Sequence, residues 1–523
     1  MVPPAFVTAG LIAVLLLAPL RLFCGCLGLV LTAPGCSSVP EQAPVVAQPT
    51  HLAPVLVAEQ AASPVPEQEA SVVAPIIRAL LDTTGAGSPA AADTRRGLQA
   101  GPDVRAFFGS DCAPAWTGPA DTLNADGAAA LALLARTPEF GLRPIDYGLP
   151  GLLALRDSLA RPAAPATAAA PPRARQQARL EVALSDAVLR LMRDLSRGRL
   201  RPYPGPGTRP GGAGLAPAAA LRAALATHTV PAAVAAAQPA HREYRQLQQA
   251  LARWLAQPAP PDSAARRQAQ YEQVALNLER WRWDPIPERE YVLINIPAYE
   301  LQVVTHDSVQ QRHRVIVGRP DTPTPTLDSR IGYFTLAPDW HVPHSIATKE
   351  VLPRLKKDPG YLASNNMALY DDRGRTLNPW RIAWGRVSAQ DFKYTVRQSG
   401  GCENALGNVV FRFPNPYSVY LHDTPTRQLF DRPDRALSHG CIRLAEPPRL
   451  AAYLLRREGR PVQLPSEFEC ARQLNPRDVR LRRPIPLYVR YATCTADRGR
   501  LQCLPDVYHR DEPLRLALFG PRP

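Results

Sequence analysis

Lysine is scarce in this chain beside arginine, and no nucleic-acid-binding motif stands among its basic residues. No histidine pair has the His-x-x-x-His spacing of a helix-borne zinc site, and no regular internal repeat runs through the sequence. Each absence excludes something. A formal charge of +15 would ordinarily raise nucleic acid as a partner, but scattered arginines without a motif argue against it, and an arginine bias is what a GC-rich genome alone produces. Attraction to a different anionic polymer is the better reading. Without the helical histidine pair and a nearby acid, zinc chemistry has little to stand on, so neither a metal nor another cofactor is expected.

What is present is unevenly distributed. The chain has 523 residues, enough for two or three domains, and its 58 prolines and 32 glycines cluster. Residues 37–100 are rich in Pro, Ala, Val and Gln, and 158–176 and 202–240 share the bias, so these read as linkers or mobile insertions. Ahead of them, Leu11 to Leu17, Arg21 and Leu22 to Leu31 lead into Thr32-Ala33-Pro34-Gly35-Cys36-Ser37-Ser38. A charge, an apolar core and a small-residue site make residues 1–36 a secretory signal, which implies a periplasmic or envelope location. The step at Cys36 resembles a bacterial lipoprotein cleavage site, with Ala33 where that pattern prefers leucine; Cys36 is the candidate for lipidation and outer-membrane anchoring. An ordinary signal and an uncleaved anchor remain open.

Export means an oxidising compartment, so the nine cysteines have to be sorted. Cys24, Cys26 and Cys36 fall in the export segment. Cys494 and Cys503 flank a turn-like stretch after the strand-like Leu487 to Tyr491, and a hairpin disulfide is expected there, with two unrelated thiols as the alternative. Cys112, Cys402 and Cys470 leave an odd thiol that the sequence does not assign.

The fold class is α+β. Residues 101–276 carry apolar positions at helical spacing in Leu123 to Leu134, Leu149 to Leu159, Gln177 to Leu195 and Glu243 to Leu255, with no catalytic constellation among them. From Glu290 the period becomes that of strands: Tyr291 to Ile296, Leu301 to Val304, His313 to Val317, Tyr333 to Leu336, Val409 to Phe413 and Ser418 to His422. The mostly-β unit is placed at 277–466. An insertion at about 347–397, with Tyr361, Trp380, Trp384 and Tyr394, is too long for a plain connection and reads as a lid. Trp380 and Trp384 either meet the substrate or form the lid's own core. Residues 467–523 are left as a C-terminal extension with a strand hairpin.

The chemistry-bearing run is Ser438-His439-Gly440-Cys441-Ile442-Arg443, preceded by Val419-Tyr420-Leu421-His422-Asp423-Thr424. Cysteine is only a few per cent thiolate near neutrality, so a nucleophilic Cys441 needs a neighbour to take its proton, and His422 and His439 are the candidates. Gly440 permits close backbone approach, and backbone N–H groups there can receive an oxyanion. Arg443 is a fixed fork for a substrate carboxylate, or else a loop-packing salt bridge. Papain-like peptidases place the cysteine before the histidine, the reverse of the order here.

This pattern resembles the signature of the L,D-transpeptidases with a YkuD-type catalytic domain, in which a histidine and a spacer precede Ser/Thr-His-Gly-Cys-x-Arg; fifteen residues separate His422 from Ser438. Asn277-Leu278-Glu279-Arg280-Trp281, Val315-Ile316-Val317-Gly318, Asn404-Ala405-Leu406-Gly407 and Phe140-Gly141-Leu142-Arg143-Pro144 look like the large YcbB-like branch, over roughly residues 101 to 520. The resemblance implies a helical scaffold domain, a lid capping the substrate groove, and peptidoglycan stem peptides as partners. It also implies a catalytic set of Cys441, His422, His439 and Gly440, with Ser438, Arg443, Trp380 and Trp384 around the substrate. On this reading His422 deprotonates Cys441, the thiolate attacks the third residue of a tetrapeptide stem, terminal D-alanine leaves, and a side-chain amine of a second stem takes the acyl group. Water as acceptor would make it a carboxypeptidase, another amine an attachment enzyme, and a dead site a wall-binding protein. The peptidoglycan-binding module of the relatives has no room, since only about twenty residues from Gln257 stand in its place.

Overall fold

The computed structural model describes residues 67–84, 88–118, 122–161, 173–200, 216–258, 263–460, 464 and 475–521. The export segment, Cys36, most of the expected insertion at 158–176 and Cys470 lie outside them.

The helical part is organised on Arg173–Arg197, whose Leu180, Leu184, Val188, Leu191 and Leu195 recur every three or four residues and are fully or almost fully buried. Two carboxylates on the same helix are buried as well, because each terminates backbone N–H groups. Glu181 accepts from Ala115 N (2.8 Å) and Trp116 N (3.1 Å), and Asp186 from Gln99 N (2.9 Å) and Ala100 N (2.7 Å). Two stretches expected to be linkers belong to this core. Helix Glu67–Leu81 buries Val73, Ile77 and Leu81, and helices Pro217–Ala226 and Val230–Ala236 bury Leu221, Val230 and Val234. Composition misleads here for a physical reason. Alanine is the strongest helix former, and Pro89, Pro217 and Pro231 stand in the first turn of helices Pro89–Arg96, Pro217–Ala226 and Val230–Ala236, where no N–H is needed, while Pro75 is carried within helix Glu67–Leu81.

Helices Arg242–Leu255 and Ala264–Trp283 join this layer to the sheet. Asn277 bridges to Thr493, its side chain donating to Thr493 Oγ1 (2.9 Å) and accepting from Thr493 N (2.8 Å). Arg282 is wholly buried against Glu279 (3.2 Å) and donates to Phe140 O (2.5 Å), while Glu279 accepts from Leu200 N (2.8 Å). The stretch from Asn277 to Arg282 is thus a junction of the two layers, with its charges paired where burial would otherwise be costly.

Strands β1 (Glu290–Asn295), β2 (Glu300–Thr305) and β3 (Ser308–Gly318) pair antiparallel in succession, and β4 (Leu327–Leu336) belongs to the same sheet without pairing with any of them. An inserted subdomain follows, with β5 (Trp340–His341), β6 (Met367–Tyr370), β7 (Thr376–Leu377) and β8 (Thr395–Gln398) ordered β5-β8-β6-β7. It has a core of its own, including Val351, Leu352, Leu355, Leu369, Trp384 and Val396. The chain then returns through β9 (Val409–Arg412), β10 (Leu421–His422), β11 (Ala436–Ser438), β12 (Ile442–Leu444) and β13 (Arg477–Arg490). The nine strands run β11-β3-β12-β10-β9-β4-β13-β1-β2, and because β2 also pairs with β3 the sheet closes on itself. Alternation fills the inside with Val292, Ile294, Leu301, Val303, Phe334, Phe411, Leu421, Ile442 and Leu487. Tyr291, Leu293 and Tyr488 point outward onto Tyr244, Leu251, Leu278 and Trp281 of the joining helices.

β13 sits between β4 and β1, parallel to β1, so residues 477–490 of the expected C-terminal extension are an internal strand of the barrel. Beyond it, β14 (Cys494–Asp497) and β15 (Arg500–Cys503) make the hairpin, with Cys494 directly opposite Cys503. Their Sγ atoms lie 2.7 Å apart. Cys402 is disulfide-bonded, and Cys112 is a buried free thiol.

Candidate active site

The barrel's register decides what surrounds Cys441. Leu421 of β10 pairs in parallel with Ile442 of β12, and both fill the interior. Their neighbours Tyr420, His422, Cys441 and Arg443 therefore share the opposite face. The Tyr420 hydroxyl stands near the Cys441 thiol, and the Tyr420 and His422 rings lie 5.5 Å apart. Arg412, at the end of β9, stacks its guanidinium over Tyr420 at 5.5 Å. Arg443 donates only a long bond, 3.4 Å, to Thr426 Oγ1, and no ion pair of Arg412 or Arg443 is seen among the described residues. Two cations without carboxylate partners among the described residues thus act on the sulfur through their charge.

His422 is buried, and its Nδ1 lies 2.6 Å from the carbonyl oxygen of Asp423. A carbonyl only accepts, so Nδ1 carries the proton and Nε2 is left with a lone pair to act as base. Burial, reinforced by the Arg443 charge, lowers the His422 pKa to about 3. Burial also pushes the Cys441 thiol above its ordinary value, with the Tyr420 hydrogen bonds and the charges of Arg443 and Arg412 pulling the other way. Both groups therefore rest neutral, a thiol and an imidazole on one face of the sheet.

The turn that presents Cys441 is fixed by its own backbone and by distant residues. Gly440 has φ 113°, in the region where a side chain is strained. Its N–H donates to Ser438 Oγ (3.1 Å), and Ser438 Oγ donates to Cys441 O (2.5 Å). Two expectations change. Ser438 is buried and ties the turn together instead of meeting substrate, and the Gly440 N–H is already engaged, which leaves Cys441 N–H as the candidate oxyanion donor. Thr324 Oγ1 donates to Gly440 O (2.8 Å) and accepts from Gly318 N (2.8 Å), while Tyr508 donates to Gly318 O (2.6 Å). A residue past the barrel thereby braces the turn.

The inserted subdomain reaches the same turn. His439 Nε2 lies 2.6 Å from Glu350 Oε1 in a π-helical turn, Ala347–Val351. Trp380 is 67% exposed, whereas Trp384 is 4% exposed and donates to Pro379 O (2.8 Å). Trp384 is therefore a core residue of the subdomain and not a substrate contact. Arg412, Tyr420, Glu350, Thr324 and Tyr508 were not singled out by the sequence. Alternation alone would have put Tyr420 on the face of His422, two residues on; the others depend on long-range pairing. Among the described residues, no group of three or more His, Cys, Asp or Glu side chains is placed to hold a metal.

A family model for the L,D-transpeptidase catalytic domain, YkuD, matches residues 289–464. Those residues are an L,D-transpeptidase catalytic domain. A scaffold-domain model matches residues 102–251, so the L,D-transpeptidase domain follows a scaffold domain in the YcbB-like arrangement. A protein of Haemophilus influenzae named "Putative L,D-transpeptidase" is 34% identical over 247 residues, 47% of this chain and 49% of the relative. The chain thus spans about half the length of that relative. Of solved structures, an L,D-transpeptidase from Mycobacterium smegmatis shows 16% identity and a TM-score of 0.19 over 39% of this chain and 58% of that one. L,D-transpeptidase 1 of Mycobacterium tuberculosis shows 14% identity and a TM-score of 0.15 over 39% and 61%.

Proposed function

We propose that this protein cross-links peptidoglycan by L,D-transpeptidation, with Cys441 carrying the acyl group as a thioester. The observation that carries the reading is the shared face of Cys441, Tyr420, His422 and Arg443 on paired strands, in a domain of the transpeptidase family. Chemistry follows from the neutral resting pair. As the thiol approaches the carbonyl of the third stem residue, its proton passes to His422 Nε2 in the same step that forms the C–S bond, and the Cys441 N–H faces the developing oxyanion. The proton then goes to the departing D-alanine amine. An amine of a second stem attacks the thioester and gives a proton to His422 Nε2 as the N–C bond forms; the C–S bond breaks, and His422 passes that proton to sulfur.

Arg412 and Arg443 suit the carboxylates of such stems, since both present charge that no protein carboxylate takes up among the described residues. No metal enters any step. Peptidoglycan as polymer agrees with the charge of +15, and the export segment at residues 1–36 supports a periplasmic site of action, with lipid attachment at Cys36 as one form of it. The test is direct. Purified protein incubated with tetrapeptide-bearing muropeptides should yield dimers whose mass equals two monomers less one D-alanine, absent with Cys441→Ala. Dimer formation by Cys441→Ala, or none by the wild-type protein with a folded catalytic domain, refutes the assignment.

A further inference from the structure

The second half of a transpeptidation has a proton problem that the first half does not. In acylation one proton leaves the thiol and one is given to the departing amine, so a single histidine suffices. An acceptor amine, by contrast, arrives near neutrality as an ammonium with one proton more than the nucleophile it must become. His422 cannot take that proton while it also returns one to sulfur. Its burial and the Arg443 charge make it a poor place for a lasting positive charge in any case.

We infer that His439, backed by Glu350 of the inserted subdomain, is a second base that deprotonates the acceptor ammonium. The inference rests on the transpeptidase reading above. Three observations carry it. Glu350 Oε1 lies 2.6 Å from His439 Nε2, and a carboxylate so placed holds Nε2–H and leaves Nδ1 with its lone pair. His439 and Glu350 are 34% and 49% exposed, so an ammonium from solvent can reach the ring and the proton can leave again. The pair stands beside Gly440 and Cys441 on a turn braced by Thr324, while the Glu350 turn is anchored in the subdomain core by buried Ala347 and Val351.

The step balances. The ammonium gives one proton to His439 Nδ1, whose new charge is paired with Glu350, and that proton passes to water. The freed amine then forms its N–C bond as the C–S bond breaks, and its second proton returns through His422 to the Cys441 sulfur. Glu350 touches neither substrate nor sulfur on this reading; it positions and charges His439. It also gives the subdomain a part in choosing the acceptor, since an amine that arrives as a cation is favoured over water.

The test separates this from a mere latch. Glu350→Gln keeps a hydrogen-bond acceptor for Nε2–H but removes the charge. With the full chain, Cys441 acylation by a tetrapeptide donor and transfer to a diaminopimelate-type amine are timed by mass spectrometry between pH 6 and 10. The ratio of transfer rate to acylation rate should fall roughly tenfold at pH 7 in Glu350→Gln, and recover towards pH 10, where the amine is free without help. Equal losses in both steps, or an unchanged ratio, overturn the inference. Thermal melting that matches wild type shows that the loss is not unfolding. Absence of any Cys441 acyl adduct in the wild-type protein would instead sink the transpeptidase reading, and this inference with it.

Discussion

The resting charge state of Cys441 can be read from its reactivity. Burial raises the thiol above 9.0 and lowers His422 to about 3, so the neutral pair is favoured over thiolate and imidazolium by several pKa units. A thiol above that value is about 1% thiolate or less at pH 7, whereas a preformed ion pair would be essentially all thiolate from about pH 4 to 8. The two cases differ by roughly 100-fold in alkylation rate at neutrality. Iodoacetamide labelling of Cys441, followed by intact mass from pH 5 to 9.5, should therefore rise about tenfold per pH unit, with no plateau below pH 9. His422→Ala should change that profile only a few-fold, because a neutral imidazole lends the sulfur no charge. A rate that is fast and flat between pH 5 and 8, and collapses in His422→Ala, would refute the neutral pair and restore an ion-paired nucleophile.

Cys441→Ala should abolish dimer formation and His422→Ala should cost about 10²–10⁴ in kcat, with EDTA without effect on the wild-type enzyme; inhibition by a chelator would contradict a metal-free site. A carbapenem should add its own mass to Cys441, since a strained lactam carbonyl meets the same sulfur and the same N–H as the stem peptide, and no adduct on the folded protein after long incubation would count against the thioester. Buried His313, whose Nδ1 lies 3.0 Å from Ala445 O, has its pKa lowered from 6.5 to about 4 by burial. The unfolded chain binds that proton below pH 6.5 and the folded chain does not until about 4, so stability is intact above 6.5 and declines by about 3 kcal/mol as the pH falls through that window. Urea melts at pH 7 and 4.5 should show a smaller difference in His313→Gln than in wild type.

The elements that composition or period alone specifies were legible. The β-branched and aromatic run Tyr291 to Ile296 and the helical spacing through Gln177 to Leu195 both correspond to elements of the structure, the first because a strand covered on both faces is apolar nearly throughout, the second because its period matches the buried face. What composition hid was helix inside alanine-rich sequence. Val73, Ile77 and Leu81 are too few and too spread to announce a core helix, yet each is under 7% exposed against Arg173–Arg197. What period hid was partnership. Nothing local in Leu487-Tyr488-Val489 says that it lies between β4 and β1, and contacts of that sequence separation are set by the whole barrel.

The site divides along the same line. Cys441, His422, His439, Gly440 and Arg443 stand within one short stretch and could be named together; the residues that decide how they work come from elsewhere. Thr324 and Tyr508 fix the turn, Arg412 and Tyr420 face the sulfur, and Glu350 arrives from an inserted subdomain 91 positions before Cys441. A motif records which groups react, because their order along one turn is local. Their protonation depends on burial and on charges brought by other strands, which is why His422 could be proposed as a base from sequence while its depressed pKa could not. By the same reasoning the two histidines, seventeen positions apart, are different reagents: one is buried against a carbonyl and suited to shuttling a proton it never keeps, the other exposed against a carboxylate and suited to holding one.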